Sequence, residues 1–161
     1  MRGNPLTVVG PELKPGDAAP DFHTVDGGMA AIDLAATGSN VRIFSVVPSI
    51  DTPVCDLQTK RFNEEAAKLN GVDIYTISMD LPFAQKRWCA AFGVDKIKML
   101  SDHRDASFGS AYGTLIKDLR IESRAIFVVG KDNQVKYVEY VKEVADHPNY
   151  DAALEAARSA V

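Results

Sequence analysis

Two cysteines are the residues of this 161-residue sequence best suited to covalent chemistry. Cys55 follows the segment Pro48-Ser-Ile-Asp-Thr-Pro-Val, which predicts a strand end leading into a helix that begins near Pro53. Cys55 would then be about the third residue of this helix, near unpaired N–H groups and the positive end of the helix dipole. Such surroundings favour the thiolate, which is the nucleophilic form of cysteine. The alternative is that Cys55 is simply a small buried apolar residue.

The second cysteine, Cys89, lies in a predicted helix that also contains Phe83, Trp88 and Phe92. Two cysteines are too few for a disulfide-stapled scaffold, so three possibilities remain: inert buried thiols, part of a metal site, or a redox pair. Neither cysteine has a second Cys or a His at the short spacings typical of zinc sites, which disfavours a metal site. The lack of a Cys-X-X-Cys pair also disfavours a thiol–disulfide oxidoreductase.

The elements that must position these cysteines follow a regular order. The central part of the chain predicts a buried strand over 41–47, a helix over 53–69, a strand over 72–79 and a helix over 82–92. The remainder predicts a short strand over 97–100, a helical turn over 105–112, a hairpin over 125–129 and 135–141, and a helix from 149. Before these, the first forty residues predict a strand at 6–9 and a hairpin of 21–25 and 31–34.

This order is typical of an α/β protein with a thioredoxin-like fold, in which a central mixed sheet is flanked by helices. We expect one domain over 1–161, with residues 1–40 as an N-terminal β-hairpin extension. Apolar spacing predicts the inward faces of two helices. The expected inward residues of the 53–69 helix are Val54, Leu57, Phe62, Ala66 and Leu69, and those of the last helix are Tyr150, Leu154, Ala157 and Val161.

Composition and charge exclude several classes of function. The net charge is −4, and the basic residues alternate with acidic ones, as in 60–68, which disfavours nucleic-acid binding. No apolar run approaches the ~20 residues needed to span a membrane, and the N-terminus lacks the apolar core of a secretory signal, so we expect a cytoplasmic protein. Residues 102–105, Asp-His-Arg-Asp, are better explained as a loop with a helix cap at Asp102 or Ser101 than as metal ligands.

Residues 48–55 resemble the peroxiredoxin motif Pro-X-X-X-Thr-X-X-Cys, which is matched by Pro48, Thr52 and Cys55. More narrowly, the sequence resembles the thiol peroxidase subgroup of atypical two-cysteine peroxiredoxins. The further matching stretches cover nearly the whole chain and are 3–7, 80–85, 87–89, 100–101, 111–113, 124–125 and 148–154. Val47 stands where a Phe is common before the Pro, which affects the expected pocket shape but not the chemistry.

The resemblance implies a role for each of five residues. Cys55 would be the peroxidatic cysteine and Cys89 the resolving cysteine. Thr52 would donate a hydrogen bond to the Cys55 thiolate and orient a peroxide oxygen, besides capping the helix. Pro48 would shield the thiolate from water, and Arg124 would be the active-site arginine. Without the resemblance, Cys89 is equally well explained as a core thiol, and Arg124 as part of a salt bridge at a strand end.

The resemblance also implies a reaction and its partners. Hydrogen peroxide and organic hydroperoxides would oxidise Cys55 to a sulfenic acid, Cys89 would close an intramolecular disulfide, and thioredoxin would reduce it. The enzyme would be a homodimer that needs no cofactor or metal. Because both cysteines sit on predicted helices, we expect the first turn near Cys55 or the 82–92 helix to unwind locally between steps. The alternative is a peroxide sensor that uses the same Cys55 chemistry and relays the oxidation to a partner protein.

Overall fold

The computed structural model describes residues 3–161. The first half of the chain forms β1 (Val8–Val9), β2 (Thr24–Val25), β3 (Ala31–Ile32), β4 (Val41–Val46), α1 (Pro53–Ala66), β5 (Val72–Ser78) and α2 (Pro82–Phe92). The second half forms β6 (Lys98–Ser101), α3 (Ser107–Tyr112), β7 (Leu115–Ile116), β8 (Ile121–Glu122), β9 (Ala125–Val129), β10 (Val135–Tyr140) and α4 (Tyr150–Ser159). Within these residues, no helix is both long and apolar enough to cross a lipid bilayer.

The central sheet contains seven strands in the order β10-β9-β4-β5-β6-β2-β3. Strands β4, β5 and β6 are parallel, β9 is antiparallel to β4, and the β2–β3 hairpin joins the free edge of β6 at Val25 and Ser101. This arrangement confirms the predicted mixed α/β architecture with an N-terminal hairpin. Strand β1 instead pairs with β7, which pairs with β8, in a separate three-stranded sheet that the sequence did not predict.

Strand β4 lies at the centre of the fold because apolar side chains point from both of its faces. All six of its residues are buried, as the continuous apolar run predicts. Ile43 packs into one core with Cys55 and Trp88, whereas Phe44 packs into a second, aromatic-rich core on the opposite face. The end of β4 is therefore a rigid platform for the turn that carries Cys55.

The two long central helices have clear sequence boundaries. Helix α2 begins at Pro82 and ends at Phe92, as predicted, and the following Gly93 adopts the left-handed conformation that closes many helices. Helix α1 begins at Pro53, also as predicted, but it ends at Ala66 instead of near residue 69. The third residue of α1 is Cys55, which confirms its expected place in the first turn.

The inward faces of two helices differ from the prediction. In α1 the buried residues are Cys55, Gln58, Thr59 and Phe62, and Leu57 is 54% exposed. The prediction for Leu57 was wrong because two polar residues occupy the inward face, where Gln58 has partners on other elements. In α4 Tyr150, Leu154 and Ala157 are buried as expected, whereas Val161 lies beyond the helix end and is 55% exposed.

A pair of buried carboxyl groups holds the short helix α3 in place. The N-cap residue of α3 is Ala106 and not the predicted Asp102 or Ser101, but Asp102 accepts hydrogen bonds from the backbone N–H groups of Phe108 and Gly109 in the first turn, both at 2.9 Å. Glu122 on β8 is wholly buried beside it and accepts a hydrogen bond from the Thr114 hydroxyl. The two carboxyl groups shift each other's pKa, and no hydrogen-bond partner within residues 3–161 is found for the second oxygen of Glu122, Oε1.

Candidate active site

Cys55 lies at the junction of β4 and α1, where a strand end meets a helix start. Its side chain is 0% exposed. Pro48, which is also buried, follows the end of β4 and belongs to the turn that leads into α1. Open α/β sheets bind ligands at such strand ends, where backbone donors and helix dipoles converge.

The hydroxyl of Thr52 lies against the sulfur of Cys55. Thr52 Oγ1 is 2.7 Å from Cys55 Sγ and 3.0 Å from the carbonyl oxygen of Ser49. Thr52 stands at the N-cap position of α1, but its side chain accepts no hydrogen bond from a backbone N–H of the helix. The predicted capping contact is therefore not made. Because a hydroxyl carries one proton, it donates either to the sulfur or to the Ser49 carbonyl, and a thiolate is the stronger acceptor.

The guanidinium of Arg124 completes the surroundings of the sulfur. Arg124 is 2% exposed and immediately precedes β9. Its Nη2 is 3.3 Å from Cys55 Sγ, its Nη1 donates to Gln58 Oε1 at 2.7 Å, and its Nε donates to the Val144 carbonyl at 2.9 Å. The two oxygens that accept from the guanidinium, on Gln58 and Val144, are uncharged. The sulfur of Cys55 is therefore the partner that the positive charge of Arg124 can stabilise as a thiolate. The alternative reading of Arg124 as a strand-end salt bridge was wrong.

Gln58 is a site residue that the sequence reasoning missed. It is wholly buried, it accepts from Arg124, and its amide Nε2 donates to the hydroxyl of Ser45 on β4 at 2.7 Å. Gln58 therefore fixes the guanidinium from the side of α1. The available signal was its spacing, because residues three apart on a helix share a face and Cys55 already marked that face as inward.

Asp80 is a second missed residue, and it holds the turn between Pro48 and Thr52. Its carboxylate accepts hydrogen bonds from the Ser49 hydroxyl at 2.7 Å and from the backbone N–H of Ile50 at 2.9 Å. The Ser78 hydroxyl, at the end of β5, donates to it at 2.7 Å. The turn that carries Thr52 is thus tied to the neighbouring strand through one half-buried carboxylate.

Cys89 lies on α2, outside this hydrogen-bonded group. It is half-buried, and neither cysteine is in a disulfide. Cys89 lines a cavity of about 560 Å³ together with Gly27 of the hairpin turn, Ile97 and Met99. Burial raises the pKa of the Cys89 thiol, which keeps it protonated and weakly nucleophilic near neutral pH.

The structure thus brings Cys55, Thr52 and Arg124 together and places Cys89 apart. A buried sulfur that faces a hydroxyl and a guanidinium is suited to nucleophilic attack, since both donors stabilise negative charge on the sulfur and on a departing oxygen. The described part of the chain contains no group of three His, Cys, Asp or Glu side chains that could hold a metal ion.

Comparisons with known proteins agree with this geometry. The family model described as Redoxin matches residues 14–154. Thiol peroxidases from Halalkalibacterium halodurans and Bacillus subtilis are 54% and 55% identical over 161 residues, covering 100% of this chain and 97% and 96% of theirs. The crystal structure of a peroxiredoxin-like protein from Aquifex aeolicus superposes with a TM-score of 0.93 at 41% identity, covering 99% of this chain and 95% of that one.

The family match spans most of the chain, and the relatives match it from end to end. The chain therefore belongs to the Redoxin family and, within it, to the thiol peroxidases, which are enzymes of the peroxiredoxin type.

Proposed function

We propose that Cys55 reduces hydrogen peroxide and organic hydroperoxides, and that Cys89 then closes an intramolecular disulfide with it. The observation that carries this proposal is the convergence of the Thr52 hydroxyl and the Arg124 guanidinium on the sulfur of Cys55. In the first step the thiolate attacks one peroxide oxygen and the O–O bond breaks. The sulfur becomes a sulfenic acid, and the other oxygen leaves as water or an alcohol after taking a proton.

The two donors serve this step in different ways. Arg124 neutralises the charge of the buried thiolate, and its remaining N–H capacity is available to the departing oxygen. Thr52 holds its proton toward the sulfur and offers its oxygen to the incoming peroxide. Pro48 shields the sulfur from bulk water on the side of the turn. The raised pKa of Cys89 supports the assignment of Cys55 as the attacking residue, because a protonated thiol reacts poorly with peroxide.

In the second step Cys89 attacks the sulfenic acid, the S–O bond breaks, and water leaves as the disulfide forms. A disulfide requires Cα atoms within about 7 Å and converging side chains. Cys55 points toward Arg124, whereas Cys89 lines a cavity to which Cys55 does not contribute. This separation supports the proposal that α2 or the first turn of α1 unwinds between the steps.

The proposed cycle ends with thioredoxin, which reduces the disulfide by thiol–disulfide exchange. The cytoplasm is the proposed location, because the cycle needs a compartment that keeps both cysteines reduced. A homodimer is proposed for the assembly, and Leu81 and Phe83 support it as exposed apolar side chains at the start of α2.

A single-turnover experiment tests the proposed function. The reduced full chain is mixed with one equivalent of hydrogen peroxide and mapped by mass spectrometry after acid quench and alkylation. We expect a Cys55–Cys89 disulfide in the wild type, a trapped Cys55 sulfenic acid in Cys89→Ser, and no reaction in Cys55→Ser. Peroxide consumption by the Cys55→Ser variant would overturn the proposal, and slow reduction of the disulfide by thioredoxin would favour the peroxide sensor.

Replacing Thr52 with valine is expected to slow sulfenic acid formation about a hundredfold, because one donor to the developing charge is lost at nearly constant shape. Stopped-flow measurement with limiting peroxide in a Cys89→Ser background gives the rate constant. Thr59→Val is the matched control. Thr59 is also buried on α1, but its hydroxyl has no hydrogen-bond partner within residues 3–161, so its replacement should leave the rate unchanged. Equal rates for Thr52→Val and the control would contradict the role given to Thr52.

A further inference from the structure

The residues next to the two cysteines are hydrogen-bonded to each other. The indole Nε1 of Trp88 donates to Asp56 Oδ1 at 3.1 Å, which joins α2 to the first turn of α1. Trp88 is 4% exposed and packs in the same core as Cys55. The centroid of the Trp88 ring lies 5.2 Å from the centroid of the Phe92 ring. The ammonium group of Lys60 lies over the Phe92 ring. The indole is therefore held on several sides.

Helix geometry relates the Trp88–Asp56 bond to the directions in which Cys55 and Cys89 point. Successive residues of an α-helix point about 100° apart around its axis. When Asp56 and Trp88 are bonded to each other, Cys55 and Cys89 each point about 100° to the side of that bond around their own helix axes. This agrees with their observed surroundings, since Cys55 contacts Arg124 and Cys89 lines the cavity beside the hairpin. The bond joins the two segments whose unwinding is proposed to bring the sulfurs together, so we expect that unwinding to break it.

We propose that Asp56 and Trp88 are positioning residues that set how fast Cys89 reaches the oxidised Cys55, and so decide the fate of the sulfenic acid. This inference rests on the proposed two-cysteine cycle. While the bond holds, the Cys55 sulfenate remains in the site and is open to a second hydroperoxide. That molecule transfers an oxygen to the sulfur, giving a sulfinic acid, and leaves as water or an alcohol. When the bond breaks, Cys89 attacks the sulfenic acid, and water leaves as the disulfide forms.

The Trp88→Phe variant tests this inference with the least change. It removes the N–H donor, keeps an aromatic ring in the core and leaves all charges in place. We expect disulfide formation to become about five to ten times faster, in line with the ordinary net contribution of one hydrogen bond. The ratio of Cys55 sulfinic acid to Cys55–Cys89 disulfide formed in excess peroxide should fall by the same factor. The first step, measured in a Cys89→Ser background, should be unchanged.

Substitutions at Asp56 test the same hydrogen bond from the side of its acceptor. Asp56→Ala removes the acceptor and should accelerate disulfide formation as Trp88→Phe does, while Asp56→Asn keeps an acceptor oxygen and should have the smaller effect. Asp56→Ala also removes the 2.8 Å ion pair of Asp56 with Lys60. The double variant Asp56→Ala, Trp88→Phe should therefore be no faster than Asp56→Ala alone, because the acceptor of the Trp88 bond is already absent in that variant. Trp88 is the only tryptophan in the chain, so in the Asp56 variants its fluorescence follows the opening directly.

The control is Arg87→Ala. Arg87 neighbours Trp88 on α2, and its contact with Asp51 is 4.0 Å long between exposed side chains, so it should add little. Rates are read by quench, alkylation and mass spectrometry on the full chain. If the wild type forms no Cys55–Cys89 disulfide, the proposed function itself fails. If the wild type forms it and both Trp88→Phe and Asp56→Ala leave its rate within twofold of Arg87→Ala, the positioning role is wrong.

Discussion

Replacing Arg124 with methionine is expected to lower the rate constant for reaction of peroxide with Cys55 by about a thousandfold. Methionine fills a similar volume but carries no charge and no N–H donors. The sulfur of Cys55 would keep the Thr52 hydroxyl but lose the only cation that contacts it within residues 3–161. The thiolate would then be buried without a compensating charge, and the departing oxygen would lack a charged donor.

The measurement is a stopped-flow reaction with hydrogen peroxide, repeated from pH 5 to 9, with Cys55→Ser as the zero-rate reference. Arg124→Lys should lie between the wild type and methionine, because an ammonium group supplies charge but lacks the three separate nitrogens with which Arg124 reaches Gln58, Val144 and the sulfur.

Arg42 offers a matched control for this substitution. Its side chain is also wholly buried, but its guanidinium donates to the carbonyl groups of Gly38 and Asn40 and to the side chain of Asn133. Arg42→Met should lower the free energy of unfolding and leave the peroxide rate constant of the folded protein unchanged. A similar loss of rate in both variants would mean that Arg124 acts through general stability rather than through Cys55.

Replacing Glu122 with glutamine is expected to stabilise the protein at neutral and alkaline pH. Burial raises the pKa of Glu122 well above its ordinary value, and the adjacent charge of Asp102 raises it further. Burial also raises the pKa of Asp102, but each of its two oxygens accepts a backbone N–H, so we assign the shared proton to Glu122, which offers it to Asp102. A glutamine amide makes the same donation without a proton to lose.

The sign of the pH dependence follows from the raised pKa of Glu122. At a pH below 4.5, the ordinary pKa of a glutamate, Glu122 is protonated in both the folded and the unfolded chain. In that range its titration does not change the stability of the wild type. As the pH rises above that value, the unfolded chain releases the proton and the folded chain retains it, so the wild type loses stability. The loss continues until the pH reaches the raised pKa of the folded state. Glu122→Gln does not titrate and avoids this loss.

Thermal unfolding of both proteins between pH 4.5 and 9 measures the effect. We expect the melting temperature of Glu122→Gln to exceed that of the wild type by roughly 5 °C at pH 8, corresponding to relief of about 2 kcal/mol, and to converge with it near pH 4.5. Glu64→Gln, at an exposed position of α1, is the control and should follow the wild type. A constant difference between Glu122→Gln and the wild type at every pH would show that the proton is not the cause.

The sequence predicted the elements whose signals are local. The apolar run of β4, and the Pro82 and Gly93 that bound α2, need no partner to be interpreted. The inward face of α1 was predicted wrongly because Gln58 and Thr59 look like surface residues until their positions against β4 and Arg124 are known. Strands β7 and β8 contain two residues each, too few for any periodicity to be detected.

The same distinction applies to the active site. The first-turn position of Cys55 was predictable from Thr52 and Pro53, because capping and proline preferences are local. The contact of Arg124 with Cys55 joins positions far apart in the chain, and only the family resemblance pointed to it. The bond between Asp56 and Trp88 also joins positions far apart in the chain, and the sequence around either residue does not predict it.

The β2–β3 hairpin has a consequence for the behaviour of the enzyme during turnover. Without it, β6 would be an outer strand with unpaired N–H and C=O groups, which is a template for association between chains. The hairpin turn also lines the cavity that holds Cys89, so the proposed opening of α2 would occur beside this covered strand. A chain with α2 open and the hairpin in place would therefore expose Cys89 without exposing the unpaired backbone groups of β6 to other chains. We expect deletion of the hairpin to make the protein aggregate during peroxide turnover.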